Sequence, residues 1–368
     1  MTNSFKNPVR TDVRTFKPYS PGLSIEEIKN RYNLSRVIKM ASNENPLGAP
    51  PLVQEIISQN ASKVFRYPRA NNPELCRSIA GFLNVDTARI VCGNGSDELI
   101  DLLIRLLAEP GKDNIAAFKP CFSIYQLQAI LSGVEFRQAG LNSDFSFAWD
   151  ELQNIVDEQT RLVFLTNPDN PSGYAATAHE IIEFSTELPD GSFLVVDEAY
   201  VDFADPVEEY SVLPFWKKTP NLIILRTFSK MYGLAGLRLG FAVLPEILAD
   251  YLRRIRLPFS VNILADMAGQ AALEDQDFIR KTRSAIFEGR AYLSSGLKDL
   301  GCHVYSSQTN FLMFAPPRNA AEIFDALLQR GIIVRPLESY GFPDLLRVSI
   351  GTAEENRLFI RSLREIIS

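Results

Sequence analysis

From about residue 60 to residue 255, short and continuously apolar runs alternate with segments of helical periodicity, and this alternation narrows the possible folds more than any other feature. The apolar runs are Arg89 to Cys92, Asn114 to Phe118, Val134 to Arg137, Arg161 to Leu165, Ser192 to Val196, Asn221 to Leu225 and Leu239 to Leu244. Helical patterns lie between them at Asp97 to Ala108, Ser123 to Leu131 and Ala178 to Ser185. Strands that are apolar on both faces need cover on both faces. The pattern therefore predicts an α/β fold with a large, mostly parallel sheet flanked by helices.

The final third changes character. Long helical patterns run from Ile263 to Leu273 and from Asp277 to Leu300. Shorter strands are expected at Asn310 to Phe314, Ile332 to Arg335 and Leu346 to Ile350, with a last helix from Ala353 to Ile367. This reads as a smaller α+β domain. Before it all, Ser24 caps a short helix candidate and NENPLGAPP breaks the pattern with turn formers. The expected division is a large domain over 46–255 and a second, discontinuous one made of the arm 1–45 plus 256–368.

Several function classes have little material. The chain is 46% hydrophobic and 22% charged with a net charge of -6, and no basic block offers a nucleic acid or an anionic membrane a surface. The most apolar helix candidate, Leu99 to Ala108, is too short to span a bilayer and carries Asp101 and Arg105. The start lacks the apolar core of a signal peptide, so the cytoplasm is the expected location. Cys76, Cys92, Cys121 and Cys302 form no CxxC pair, and His179 and His303 stand far apart. A metal site is not expected, nor is a Ser-His-Asp triad.

The stretch richest in chemistry is Arg226 to Phe241, RTFSKMYGLAGLRLGF, which follows the apolar run NLIIL. Glycines at 233, 236 and 240 allow tight turns and close approach of backbone to a ligand. Thr227 and Ser229 offer hydroxyls, Lys230 an amine and Arg238 a planar fork suited to phosphate. An amine beside phosphate donors is what an aldehyde cofactor with a phosphate arm requires. A solvated loop carrying a surface lysine would read the same way in isolation.

Four other stretches fall at strand C-terminal ends, where open parallel sheets bind ligands. In VCGNGSDE, Gly93 and Gly95 turn the chain and Ser96 can cap a helix starting at Asp97, whose exposed N–H groups would suit phosphate; a plain capped turn needs the same residues. In TNPDNPSG, two Asn-Pro steps make a stiff turn that would aim the Asn170 amide. In FLVVDEAYVDF, Asp197 ends a buried run and would pair with a protonated ring nitrogen or cap a helix, and Tyr200 would reach a ring hydroxyl. In FKPCFSIY, Phe122 would stack on a ring or fill the core.

Taken together, and in this order along the chain, these residues resemble the fold-type-I pyridoxal-phosphate aminotransferases, most closely the histidinol-phosphate aminotransferase family. The likeness runs from NENPLG (Asn43 to Gly48) to RVSIGT (Arg347 to Thr352), and VVDEAYVDF and RTFSKMYGLAGLRLGF are its most specific signatures. The resemblance implies that Lys230 is the Schiff-base lysine and proton shuttle. Asp197 pairs with the pyridinium nitrogen, Asn170 and Tyr200 hold the ring oxygen, and Phe122 stacks on the ring where many relatives carry tyrosine. Gly95, Ser96 and Asp97, mainly through backbone, surround the phosphate with Thr227, Ser229 and Arg238. Tyr67 would cross a homodimer interface to the partner's phosphate. Arg347 would grip an α-carboxylate, and Tyr19 and Arg335 would line the substrate's phosphate end.

The implied activity is transfer of an amino group between histidinol phosphate and the glutamate/2-oxoglutarate pair. Aromatic-amino-acid aminotransferases are the nearest alternative. Threonine-phosphate decarboxylases share the scaffold and differ in which Cα bond is held perpendicular to the ring. A regulator built on the same fold would need an attached DNA-binding domain, for which no room is expected before Asn43 or after Thr352.

Overall fold

The computed structural model describes residues 8–14 and 23–368 of the chain. Tyr19 lies outside the described residues. Ahead of the large sheet stands a two-residue strand, β1 (Ile38–Lys39). The sheet itself is built from β2 (Ile90–Gly93), β3 (Asn114–Lys119), β4 (Glu135–Gly140), β5 (Thr160–Thr166), β6 (Phe193–Asp197), β7 (Leu222–Thr227) and β8 (Gly240–Val243). Its order is β2-β8-β7-β6-β5-β3-β4. The run from β4 through β3, β5 and β6 to β7 is parallel, and β8 alone runs antiparallel to its neighbours β7 and β2.

The continuous apolar runs are continuous because both faces are covered. Val163 and Leu165, Leu194 and Val196, and Leu222 and Ile224 join one core; Leu162 and Phe164, Val195, and Ile223 and Leu225 join the other. The two-residue period of a strand sends neighbours to opposite sides, so an apolar residue is needed at every position.

The second sheet has the order β12-β13-β10-β9, from β9 (His303–Val304), β10 (Phe311–Ala315), β12 (Arg335–Pro336) and β13 (Leu346–Ser349). Between them, β11 (Ile332–Ile333) leaves this sheet and pairs in parallel with β1, bringing the start of the chain onto its last third. The expected single strand Ile332 to Arg335 is therefore two strands in two sheets. Pro336 has no N–H to donate, which suits β12 to its place at the sheet edge. The helices Ile263–Glu274 and Gln276–Asp299 form close to their expected limits, and Ala353–Ile367 at its expected ones. Helix Ile263–Glu274 packs on helices Pro51–Asn60 and Pro73–Leu83. Among the described residues no helix is long and apolar enough to cross a membrane, and no cluster of three or more candidate metal ligands occurs.

Candidate active site

The C-terminal ends of β2, β3, β5, β6 and β7 meet at one cavity of about 220 Å³. Lys230, Asp197, Tyr200, Asn170 and Phe122 line it, as do Ser96, Asp97, Thr227, Ser229 and Arg238. Residues read from five separate stretches thus converge on one place because their strands are neighbours in the sheet.

One end is built for an anion. Gly95 has φ +80, and a Cβ there would meet Nη2 of Arg238 at 2.6 Å; a Cβ on Gly240 would meet the backbone nitrogen of Ser96 at 2.6 Å. Glycine is needed at both positions, the first for its backbone angle and the second for the closeness of the backbone that faces it. The helix begins at Ser96, with Gly95 as its N-cap and no side-chain cap, one residue earlier than the sequence suggested. Ser96 is therefore part of the cavity wall instead of a cap. Glu98 turns back to accept from Asn94 N–H at 2.6 Å and steadies the turn. Arg238, itself at φ 55, donates to Asp97 at 3.0 Å and to Ala235 O at 3.2 Å. Asp97 was expected to act mainly through backbone; its carboxylate also orients the guanidinium. Burial raises the Asp97 pKa, and Arg238 and Lys230 pull it back down.

The other end holds a buried carboxylate. Asp197 closes β6 beside Thr166 of β5 and is 3% exposed. Desolvation pushes its pKa up to about 6, and the nearby carboxylates Asp97 and Glu198 push the same way. Tyr125 Oη donates to Oδ2 at 3.0 Å and Ala199 N–H to Oδ1 at 3.1 Å, pulling it down. A cation in the cavity would relieve this strain on the charged form.

Lys230 Nζ donates to Ser42 O at 3.3 Å and lies 5.6 Å from the centre of the Tyr200 ring. The turn bearing Asn170 is pinned from behind: Asn167 donates to Ala176 O and Tyr210 O, both at 3.0 Å, and Asp169 accepts from Ser172 Oγ at 2.6 Å. Asn170 Oδ1 accepts from Arg347 Nη1, which leaves the Asn170 amide as a donor. Arg347 Nη2 donates to Ala41 O at 3.0 Å, its Nε is buried without a protein partner, and its guanidinium lies over Phe311 at 4.8 Å. Arg335 sits directly across the strand pair from Arg347, so the two arginines share one face of the sheet.

Two residues of these stretches stand apart from the cavity. Tyr67 is 81% exposed and stacks on Phe259 at 4.8 Å, away from the cavity of its own chain. Arg226, which opens the glycine-rich stretch, is spent on a buried ion pair with Glu198 at 2.7 Å. Two further residues belong to the site. Tyr125 lies three positions after Phe122, one helical turn on, and its hydroxyl spans Thr166 and Asp197. Asn43 donates to Tyr200 Oη at 3.1 Å. The one available signal was polarity inside segments read as core helix and turn.

The donor set fits a planar ring with a phosphate arm and a protonated nitrogen: glycine turn, hydroxyls and Arg238 at one end, a buried carboxylate at the other, and an amine between. Comparison with known proteins agrees. The family model for aminotransferase class I and II matches residues 35–363. A histidinol-phosphate aminotransferase of Nitratidesulfovibrio vulgaris strain Hildenborough is 55% identical over 359 residues, covering 98% of this chain and 96% of the relative. A histidinol-phosphate aminotransferase of Sinorhizobium meliloti, solved in complex with pyridoxal-5'-phosphate, superposes with a TM-score of 0.88 at 27% identity, covering 99% of this chain and 98% of that one. An L-threonine-O-3-phosphate decarboxylase of Porphyromonas gingivalis shares the fold, with a TM-score of 0.78 at 21% identity over 90% of this chain and 99% of that one.

Proposed function

The chain belongs to the class I and II aminotransferases, and from that premise we propose that it is a pyridoxal-phosphate-dependent histidinol-phosphate:2-oxoglutarate transaminase. The cofactor reading is carried by the cavity that puts the Lys230 amine between a buried, charge-strained Asp197 and an anion cradle. The substrate reading is supported by 55% identity to an enzyme of that name over nearly the whole chain, whereas the likeness to the decarboxylase is one of fold.

When bound, pyridoxal phosphate supplies an aldehyde for amines and a ring that accepts electrons from Cα. The chain's own residues then have separable tasks. The helix start at Ser96 and Asp97, the hydroxyls of Thr227 and Ser229, and Arg238 hold the phosphate. Asp197 keeps a proton on the ring nitrogen, and Tyr125 holds Asp197 in place. Tyr200 and the Asn170 amide bind the ring oxygen, and Phe122 covers the ring face. Lys230 carries a proton to and from Cα of the substrate. Arg347, fixed by Asn170 and Ala41, grips the α-carboxylate of glutamate, and Arg335 beside it takes the phosphate of histidinol phosphate, with Tyr19 at the same end.

Two further features belong to the same reading. Val64, Phe65, Tyr67 and Leu257 are each more than half exposed, and they support a homodimer in which Tyr67 serves the partner's phosphate site. The second is a cytoplasmic location, as expected of an enzyme that acts on small soluble metabolites like the relatives named above. Histidinol phosphate, phenylalanine and threonine phosphate offered side by side, with 2-oxoglutarate as acceptor, test the proposal. Histidinol phosphate should be the fastest donor. Faster phenylalanine would make the chain an aromatic aminotransferase, and carbon dioxide from threonine phosphate would make it a decarboxylase.

A further inference from the structure

We propose that Asn43 is a positioning residue that sets the direction in which the Tyr200 hydroxyl donates. The inference rests on the cofactor reading given above and goes beyond it, because Asn43 itself touches no reacting atom.

One end of the hydrogen-bond chain cannot reverse. Asn43 backbone N–H donates to Ser349 Oγ at 2.9 Å. The Ser349 hydroxyl, accepting from that N–H, places its single proton on Asn43 Oδ1 at 2.9 Å. With Oδ1 turned to Ser349, the amide presents Nδ2 to Tyr200 and donates to its oxygen at 3.1 Å. A phenol that accepts this bond turns its own proton elsewhere, and Tyr200 lines the cavity. The three bonds run in one direction, from the backbone N–H through Ser349 and the amide to the phenol oxygen, and leave the Tyr200 proton directed elsewhere.

The surroundings keep the chain from being rewired by water. Asn43 is 2%, Ser349 4% and Tyr200 5% exposed. Asn310 Nδ2 donates to Asn43 O at 3.0 Å and clamps the backbone. Asn43 has φ 55, a left-handed angle that asparagine tolerates better than most residues. Its neighbours are tied to the same site: Ala41 O accepts from Arg347, Ser42 O from Lys230, and Asn45 Nδ2 donates to Met231 O at 2.9 Å. Ser349 stands two residues from Arg347 on β13, hence on the same face. The Asn43–Tyr200 bond also lowers the Tyr200 pKa against the upward push of burial, the sign expected of a donor to the phenol oxygen.

The decisive variant is Asn43→Asp. It keeps the size and the tolerance of a left-handed backbone, but a carboxylate has no proton to give. Tyr200 must then donate to it and turn away from the cavity. The readout is the pH midpoint of the visible absorption band of the protein loaded with pyridoxal 5'-phosphate, measured by spectrophotometric titration. Losing a donor to the ring oxygen should raise that midpoint by about one pH unit or more, as Tyr200→Phe should. The added negative charge would also raise it, so the same change is made in a Tyr200→Phe background. There a lost hydrogen bond has nothing left to lose, whereas a charge effect persists. The proposal expects a clearly smaller shift there than in the protein that keeps Tyr200, because only the charge effect is left. Ser349→Ala, which frees the amide to turn, should raise the midpoint by less in the same direction and carries the test if Asn43→Asp does not fold. A midpoint unchanged by these single variants, or a shift fully retained in the Tyr200→Phe background, would overturn the proposal. A parent protein that takes up no pyridoxal phosphate would show no band at all, and it would overturn the cofactor reading together with this inference.

Discussion

Asp197→Asn separates the cost of a buried charge from its use. The Asp197 carboxyl titrates at about 6 in the folded protein instead of an ordinary 3.8, mainly through burial. A difference of about two pH units corresponds to about 3 kcal/mol of strain on the ionised form. The sign follows from linkage. Between pH 4 and 6 the folded protein binds a proton that the unfolded chain has released, so stability falls as pH rises through that window and stays lower above it. Asparagine carries no charge and keeps a carbonyl for Tyr125 or Ala199, at a cost of about 1 kcal/mol for the bond it loses. In the cofactor-free protein, Asp197→Asn should therefore be about 2 kcal/mol more stable than the parent at pH 8, and no more stable at pH 4. Asp169, which also titrates at about 6, cancels in the comparison because both proteins carry it. The assay is urea unfolding of the two cofactor-free proteins at both pH values. With pyridoxal phosphate the order should change: the parent gains more, because only it can keep the ring nitrogen protonated, and the variant loses most of its turnover. A helix-cap aspartate would give a small effect independent of pH, since asparagine caps as well. An equal effect at pH 4 and pH 8 would therefore refute the reasoning.

Other perturbations follow from the same geometry. Lys230→Ala removes the covalent and proton-transfer roles together, so turnover should drop by several orders of magnitude in a steady-state assay while cofactor affinity falls less. Mixing Tyr67→Phe subunits with Lys230→Ala subunits should raise activity above either parent, because one site of each heterodimer then carries both defects and the other none; no recovery despite proven exchange would confine Tyr67 to its own chain. Arg347→Lys should slow the glutamate half-reaction strongly in single-turnover measurements, because lysine lacks the fork that Asn170 and Ala41 now hold. Arg335→Ala should slow histidinol phosphate more than phenylalanine in the same format.

The large sheet was legible because its central strands are apolar runs, and a run covered on both faces leaves its mark in consecutive residues; the edge strand β4 (EFRQAG) is half polar and only partly covered. The residues at the ends of those runs were legible for the same reason: Asp197 closes β6, and Asn170 and Lys230 lie within four residues of the ends of β5 and β7. What stayed hidden depends on contacts distant in sequence. Tyr125 reads as one more ring in a helix until the register of β5 against β6 sets Thr166 beside Asp197 and both within its reach. Asn43 reads as a turn former until β13 places Ser349 against it. The split of Ile332 to Arg335 into β11 and β12 depends on the pairing of β11 with β1 almost three hundred residues earlier, which no local pattern encodes.

Borohydride reduction of the pyridoxal-phosphate-loaded protein, followed by peptide mapping, tests most directly whether the cavity at the sheet's C-terminal edge is the catalytic one. Reduction makes the link between cofactor and lysine permanent. The label should appear on a single peptide, at Lys230 between Ser229 and Met231. Its appearance on another lysine, or undiminished labelling of Lys230→Ala, would contradict the assignment.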